Sequence, residues 1–163
     1  MSKKNLFFKT EIITKSIITN YSKLSKNEYK ENNPVCSGEH LEWKYMNNPF
    51  GFSNGVNGYD EKKLVARVSY QKKKFFFKNK ILMGVNLCDL LISKNYRTIE
   101  NFLKLTDEFF VKKKLPASNF SLMIPNEKSL PLYKTILRIT PIGNLEIRFF
   151  PVFTSLLNYF LGC

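Results

Sequence analysis

Histidine is nearly absent from this chain, which carries only His40, and cysteine is scarce, with Cys36, Cys88 and Cys163 lying far apart. There is no CxxC pair. Widely separated cysteines and one histidine do not show the ligand spacing of a structural zinc site, which needs roughly four soft or imidazole ligands, so no metal site is expected. An odd number of cysteines also argues against the disulfide scaffold of a small secreted protein. Acidic residues are short as well: 13 Asp and Glu stand against 26 Lys and Arg, for a net charge of +13. Long apolar runs are missing. The longest, "FFPVFTSLLNYFLG", reaches roughly 14 residues and is broken by Pro, Thr, Ser and Asn, short of the ~20 that a spanning helix needs. The N-terminal stretch "MSKKNLFFKTEIITKS" has lysines but no sustained apolar core, so no signal peptide is read. The expectation is a cytoplasmic protein with no transmembrane segment.

What is present points to a folded domain. A length of 163 residues suits one domain, and an apolar share of 44% is enough for a real core. The positive charge favours an anionic partner: nucleic acid, a phosphate-rich cofactor or an acidic membrane surface. Lys greatly outnumbers Arg, however, and Asn is abundant, a combination that AT-rich coding produces. Readers of nucleic acid usually cluster Arg. Here the runs "SKK", "QKKKFFFKNK" and "VKKK" are scattered, as solvated faces are, so nucleic acid is not the favoured partner.

The order of elements follows from periodicity. Residues 11–24 place Ile12, Ile13, Ile17 and Leu24 near a helical stripe. "SKNEYKENNP" reads as a loop. Ser37 is a helix N-cap with His40 three residues on, and Pro49 stops that helix. "NPFGFSNGVNG" is dense in turn formers. From residue 56 the period changes to that of strands. "VNGY", "DEKK" and "LVARVSYQ" predict a hairpin with Leu64, Ala66, Val68 and Tyr70 recurring at period two. "FFFKNK" leads into "ILMGVNLCDLLI", a nearly all-apolar strand expected to be covered on both faces. "TIENFLKLTDEFFVKKK" is the clearest helix, with Ile99, Phe102, Leu103, Leu105, Phe109 and Phe110 on one face. "SNFSLMI", "NEKSLPLYKTIL" and "NLEIRFFPV" predict a strand, a helix and a last strand. The unit at 81–124 should be parallel, with a right-handed crossover. The sum is an α/β fold with a mixed sheet flanked by helices.

One junction carries a chemical signal. The buried strand runs through Leu90 and Ile92 into "SKNYR" and straight into a helix N-terminus. Unpaired N–H groups and the positive end of the helix dipole gather there, and Lys94 and Arg97 add charge, so a pyrophosphate is the natural ligand.

Three stretches in this order resemble the GNAT superfamily of acyl-coenzyme A-dependent N-acyltransferases, over about residues 37–152. "HLEWKYMNNPFG" is similar to the W-K-Y-x-x-N-P-x-G stretch of members found in bacterial surface-polysaccharide clusters. "LLISKNYRTIENFLKL" matches the strand end and the tyrosine-arginine pair, with Leu90, Ile92, Tyr96 and Arg97 in register. "PNEKSLPLYKTILR" matches N-E-x-[SA]-x-x-x-Y through Asn126, Glu127, Ser129 and Tyr133. The resemblance implies a GNAT-like sheet and a single acyltransferase domain over 1–163. It leaves open that the chain is part of a longer one. It implies acetyl-CoA or another acyl-CoA as cofactor, held near Leu90, Ile92, Tyr96, Arg97, Thr98, Ile99, Glu100 and Asn126.

The resemblance further implies acetyl transfer to an amine of a small molecule or sugar precursor, with Tyr133 as general acid toward the leaving thiolate. Asp89, near the end of the central strand, and Glu42 are the carboxylates considered as general base. The aromatic residues Trp43, Tyr45 and Phe50 are expected beside the acceptor. Two departures are visible. Glu100 and Phe102 occupy the places of two loop glycines, and Leu137 and Arg138 replace a usual Gly-Phe. Glycine lets backbone approach phosphate without a Cβ, so weak coenzyme binding or an inactive member is expected from these positions. A homodimer is left open. The rival reading is a non-catalytic basic α/β module that binds nucleic acid or another anionic partner, with "QKKKFFFKNK" as its best feature.

Overall fold

The computed structural model of the chain describes residues 6–109, 120–127 and 129–143. The chain divides into two units, one running to Met123 and one beginning at Ile124. In the first, β1 (Phe7–Ile12), α1 (Lys15–Lys26), α2 (Gly38–Tyr45), β2 (Asn54–Asp60), β3 (Lys63–Phe77), β4 (Lys80–Ile92), α3 (Ile99–Asp107) and β5 (Phe120–Met123) follow in order. The five strands form one sheet in sequence order. Neighbours are antiparallel except β4 and β5, which are parallel. A mixed sheet with helices is thus the architecture, and the parallel unit expected at 81–124 is present.

The first helix begins later than its apolar stripe suggests. Residues 7–12 pair with β2 as an edge strand, and Thr14 then caps α1 by accepting from the Ile17 N–H. The β-branched run at 11–14 is the physical reason, since such residues suit a pleated strand. Ile12 is exposed on the strand, while Ile13 joins the core. Ser37 does cap α2, accepting from the His40 N–H.

The core between the first two helices and the sheet holds Ile13, Ile18, Tyr21, Leu24, Leu41, Tyr45, Leu64 and Leu91. Each fully buried large side chain contributes about 1.5–3 kcal/mol. Phe102, Leu105 and Phe109 are also buried, and Phe109 packs edge-on against Tyr70 at 5.1 Å. Ile99 and Leu103, expected on the same face, are exposed. Leu64 does not share a face with Tyr70 as strict alternation predicts. The β2–β3 register slips between Gly58 and Tyr59, so Val65 is an extra residue, and Leu64 turns to the core of the first two helices.

Asn54 and Gly55 look like turn formers but lie in β2. Glycine is required here: a Cβ at Gly55 would stand 2.2 Å from the Tyr21 hydroxyl. "FFF" belongs to β3, and the hairpin turns at Lys78 and Asn79, both with positive φ (45° and 60°). β4 is well covered only at Gly84, Val85, Leu91 and Ile92, not along its whole length. The strand expected at 144–152, and the positions of Phe110 and Cys163, lie outside the described residues. In the second unit, α4 (Leu130–Ile136) is the described helix, close to the one expected.

Candidate functional site

The site-bearing end of the sheet is where β4 outruns β5. The parallel ladder pairs Gly84 with Phe120 through Leu87 with Met123, and β4 then continues to Ile92 beside β3. On the β3 side the register slips. Ser69 pairs with Cys88 and Arg67 with Leu91, so Asp89 and Leu90 together face Val68. This is a β-bulge, a device that re-aims side chains at strand ends. Asp89 takes φ +54°, which is uncommon for a residue with a Cβ.

Asp89 is held in place by α2. Lys44 Nζ donates to both of its carboxylate oxygens at 2.9 and 2.8 Å, and the Tyr45 hydroxyl donates to Oδ2. Burial alone would raise the acid's pKa. The Lys44 charge and the hydrogen bonds from Lys44 and Tyr45 outweigh it, with help from the buried Arg67, so Asp89 stays below the ordinary carboxylate value. Burial and the Asp89 charge push the neighbouring Cys88 thiol up to about 11 and raise Tyr45 well above its usual value. Arg67 is almost fully buried, lies 4.4 Å over the Tyr21 ring and donates to Ser25 Oγ at 3.1 Å.

Beyond Ile92 the chain makes a 3-10 turn at Lys94–Tyr96 and enters α3. Glu28, from the loop after α1, braces this turn. Its carboxylate accepts from Ser93 Oγ at 3.0 Å, from the Lys94 N–H at 2.9 Å and from Arg97 Nη2 at 2.5 Å. Arg97 Nε also donates to the Ile92 carbonyl at 2.8 Å. The Tyr96 hydroxyl donates to Asp60 at 2.5 Å. Thr98 caps α3, accepting from the Asn101 N–H at 3.1 Å, while Asn101 Nδ2 donates back to the Tyr96 carbonyl at 2.9 Å. Glu100, in the first turn, pairs with Lys104 at 3.0 Å.

In the second unit, Asn126 organises the start of α4. Its Oδ1 accepts from the Ser129 N–H at 2.9 Å, and its main-chain carbonyl accepts from the Leu130 N–H at 2.9 Å. Tyr133 sits one turn on, donating its N–H to the Ser129 carbonyl at 3.2 Å. It is partly buried, and burial raises its hydroxyl pKa, so the side chain remains a neutral O–H donor at physiological pH.

Leu90, Ile92, Tyr96, Arg97, Thr98, Ile99 and Glu100 therefore form one continuous strand-turn-helix junction in the first unit, and Asn126 and Tyr133 lie in the second. Tyr45 is buried and bonded to Asp89 rather than lining a surface, whereas Trp43 and Phe50 are exposed. Glu42 pairs with Lys15 at 3.1 Å and borders an open groove of about 430 Å³ that Lys23 and Lys26 also line. Sequence reasoning missed Glu28, Lys44 and Asp60 as braces. Glu28 lies 65 or more positions from the groups it binds, and nothing in its polar surroundings marks it. No group of three or more His, Cys, Asp or Glu residues able to hold a metal occurs among the described residues.

No protein-family model matches the sequence, and no curated protein matches it. Solved structures do match. An acetyltransferase from Trypanosoma brucei aligns at 14% identity with a TM-score of 0.64, covering 88% of this chain and 100% of that one. A protein described as a predicted acetyltransferase with acetyl-CoA, from Clostridium acetobutylicum, aligns at 10% identity with a TM-score of 0.65, covering 88% and 96%. A transcriptional regulator from Bacillus halodurans aligns at 6% identity with the same TM-score of 0.65, covering 88% and 100%. At these identities the likeness is one of fold, and the fold is the one found in GNAT acetyltransferases.

Proposed function

We propose that this chain is an acyl-coenzyme A-dependent N-acyltransferase of the GNAT type, moving an acetyl or other acyl group to the amine of a small molecule, such as a sugar precursor. The observation that carries this reading is the end of the β4–β5 ladder at Leu87 and Met123. Beyond it β4 runs on through the Asp89–Leu90 bulge to the capped start of α3. A strand that runs on past the end of its parallel neighbour and into a helix N-terminus offers both an extended edge and a place for an anion.

The junction's donors suit a phosphate-bearing coenzyme. An α-helix leaves its first N–H groups without intrahelical acceptors, and Thr98 satisfies that of Asn101. Lys94 is exposed beside them. Two features weaken the fit. Arg97 is committed to Glu28, and Glu100 places a carboxylate in the first turn that Lys104 offsets. Weak binding is the consequence. Ile92, Tyr96, Thr98 and Ile99 shape the junction, and Leu90 lies on the bulge. Bound acyl-coenzyme A would supply the acyl group as a thioester.

Tyr133 is the proton donor in this reading, as the match of the Asn126–Tyr133 stretch to the family implies, and its hydroxyl is protonated at neutral pH. Asn126 sets the start of the helix that carries it. The geometry favours a different task for Asp89 from proton acceptance. With its oxygens occupied by Lys44 and Tyr45 and its pKa lowered, it is a poor base and a good anchor for the bulge. The amine is then deprotonated by solvent, or enters neutral.

The experiment is an amine screen with acetyl-CoA followed by Tyr133→Phe on the best acceptor. Loss of a general acid lowers turnover by about 10²–10⁴ while folding is kept. Full turnover by Tyr133→Phe would remove the residue from the chemistry, and no transfer to any amine would remove the activity.

A further inference from the structure

The hairpin of β3 and β4 extends past the rest of the sheet. β2 pairs with β3 no further than Tyr70, and β5 pairs with β4 no nearer the turn than Gly84. From Lys72 to Phe77 and from Lys80 to Met83 the two strands pair in the ladder only with each other among the described residues, while the Phe75 ring packs on Phe120 at 4.7 Å. Six residues of β-strand span about 20 Å. The end of this ribbon is apolar and uncovered: Phe76 is 81% exposed, and Phe77 and Ile81 are each 58% exposed. Lysines flank it at positions 72, 73, 74, 78 and 80, and no acidic residue occurs between Glu61 and Asp89. Lys73 and Lys78 lie over the rings of Phe50 and Phe77, and no carboxylate pairs with Lys72, Lys74 or Lys80 among the described residues.

Adjacent residues of a strand point to opposite faces. Phe76 pairs across the ribbon with Ile81 on one face, and Phe77 pairs with Lys80 on the other. A flat partner, whether a stacked nucleic-acid strand or a second copy of the chain, could cover only one of these faces. Immersion of the tip covers both at once. We infer that this tip docks on an anionic lipid surface, with Phe76, Phe77 and Ile81 entering the boundary between headgroups and acyl chains and the lysines lying among the headgroups. Lysine stems are apolar and their ammonium groups reach outward, which suits that depth. Charge and apolar insertion are each weak alone and add when combined.

The test is flotation of the full chain with vesicles of neutral phosphatidylcholine alone or with about a third phosphatidylserine, at two salt concentrations. Binding is expected only with the anionic lipid and should weaken with salt. Phe76→Ser with Phe77→Ser should reduce partitioning by at least about tenfold with unchanged circular dichroism, because both rings are already exposed. Lys72→Gln with Lys80→Gln should cost about fivefold per lysine. Binding to both vesicle types alike, or anionic binding that survives the phenylalanine changes, would overturn the inference. So would a chain that ignores vesicles but binds a single-stranded oligonucleotide or self-associates through the same phenylalanines. None of these readouts depends on acyl transfer.

Discussion

Replacing Asp89 by Asn removes one negative charge from the bulge and leaves the shape nearly unchanged. In the wild type its carboxylate receives two hydrogen bonds from Lys44 and one from Tyr45. The amide oxygen can still accept from Tyr45, but the amide NH₂ would face the Lys44 ammonium as donor against donor. Breaking one side of a buried ion pair costs about 3–5 kcal/mol. This pair keeps 23% and 15% of its side-chain exposure, so Lys44 can turn partly to solvent. The expected loss is therefore about 2 kcal/mol, or roughly 4–8 °C in Tm for a chain of this size. Urea denaturation at pH 7, followed by circular dichroism, measures it. Lys44→Met added to Asp89→Asn should cost less than the sum of the single changes, since the pair is coupled. The pH dependence has a definite sign. The folded pKa is depressed, so the carboxylate stabilises the fold fully above its ordinary value of about 4, and that contribution is lost as pH falls through the folded value. The gap between wild type and Asp89→Asn should be constant near neutrality and shrink in acid. A loss under about 0.5 kcal/mol at pH 7, or a gap that widens in acid, would refute the reasoning.

Gly55→Ala should destabilise by about 2–3 kcal/mol, because the new Cβ meets the hydroxyl of fully buried Tyr21 and displaces its 2.7 Å bond to Asn57; thermal melting measures this. Lys78→Asn with Asn79→Gly should raise stability by about 1 kcal/mol in urea titration, since both positions have positive φ and the new pair suits such a turn. Glu28→Gln should lower stability by about 1 kcal/mol and increase amide hydrogen exchange at residues 93–97, because its carboxylate braces that turn. Unchanged exchange there would show that the turn holds itself.

Local signals were legible where local physics decides. Ser37 and the helix after it, the hairpin from residue 56, the parallel unit around α3 and the strand-turn-helix junction all followed from caps and periods. What was not legible is what distant residues impose. The extra residue at Val65 reverses the face of Leu64, and nothing in the alternation of "LVARVSYQ" reveals it. Gly55 is a strand residue despite its turn-forming neighbourhood because it pairs with Glu11 and Ser69, and the Tyr21 hydroxyl leaves no room for a Cβ there. The edge strand at Phe7–Ile12 depends on pairing with residues 54–59. The junction's residues could be named from sequence, but not that Arg97 is engaged by Glu28 or Asp89 by Lys44. Phe102 stands where a loop glycine would be expected, yet it is core, and glycine there would cost about 3–5 kcal/mol in lost packing.

The most direct test of the central claim is therefore calorimetry of coenzyme A and acetyl-CoA with the full chain and with Glu100→Ala, which removes the first-turn carboxylate while leaving Phe102 in place. The account predicts measurable binding by the wild type that weakens with salt, and binding by Glu100→Ala that is about two- to fivefold tighter, as expected for removing a like charge near a helix N-terminus. No binding by either protein at millimolar ligand would contradict it.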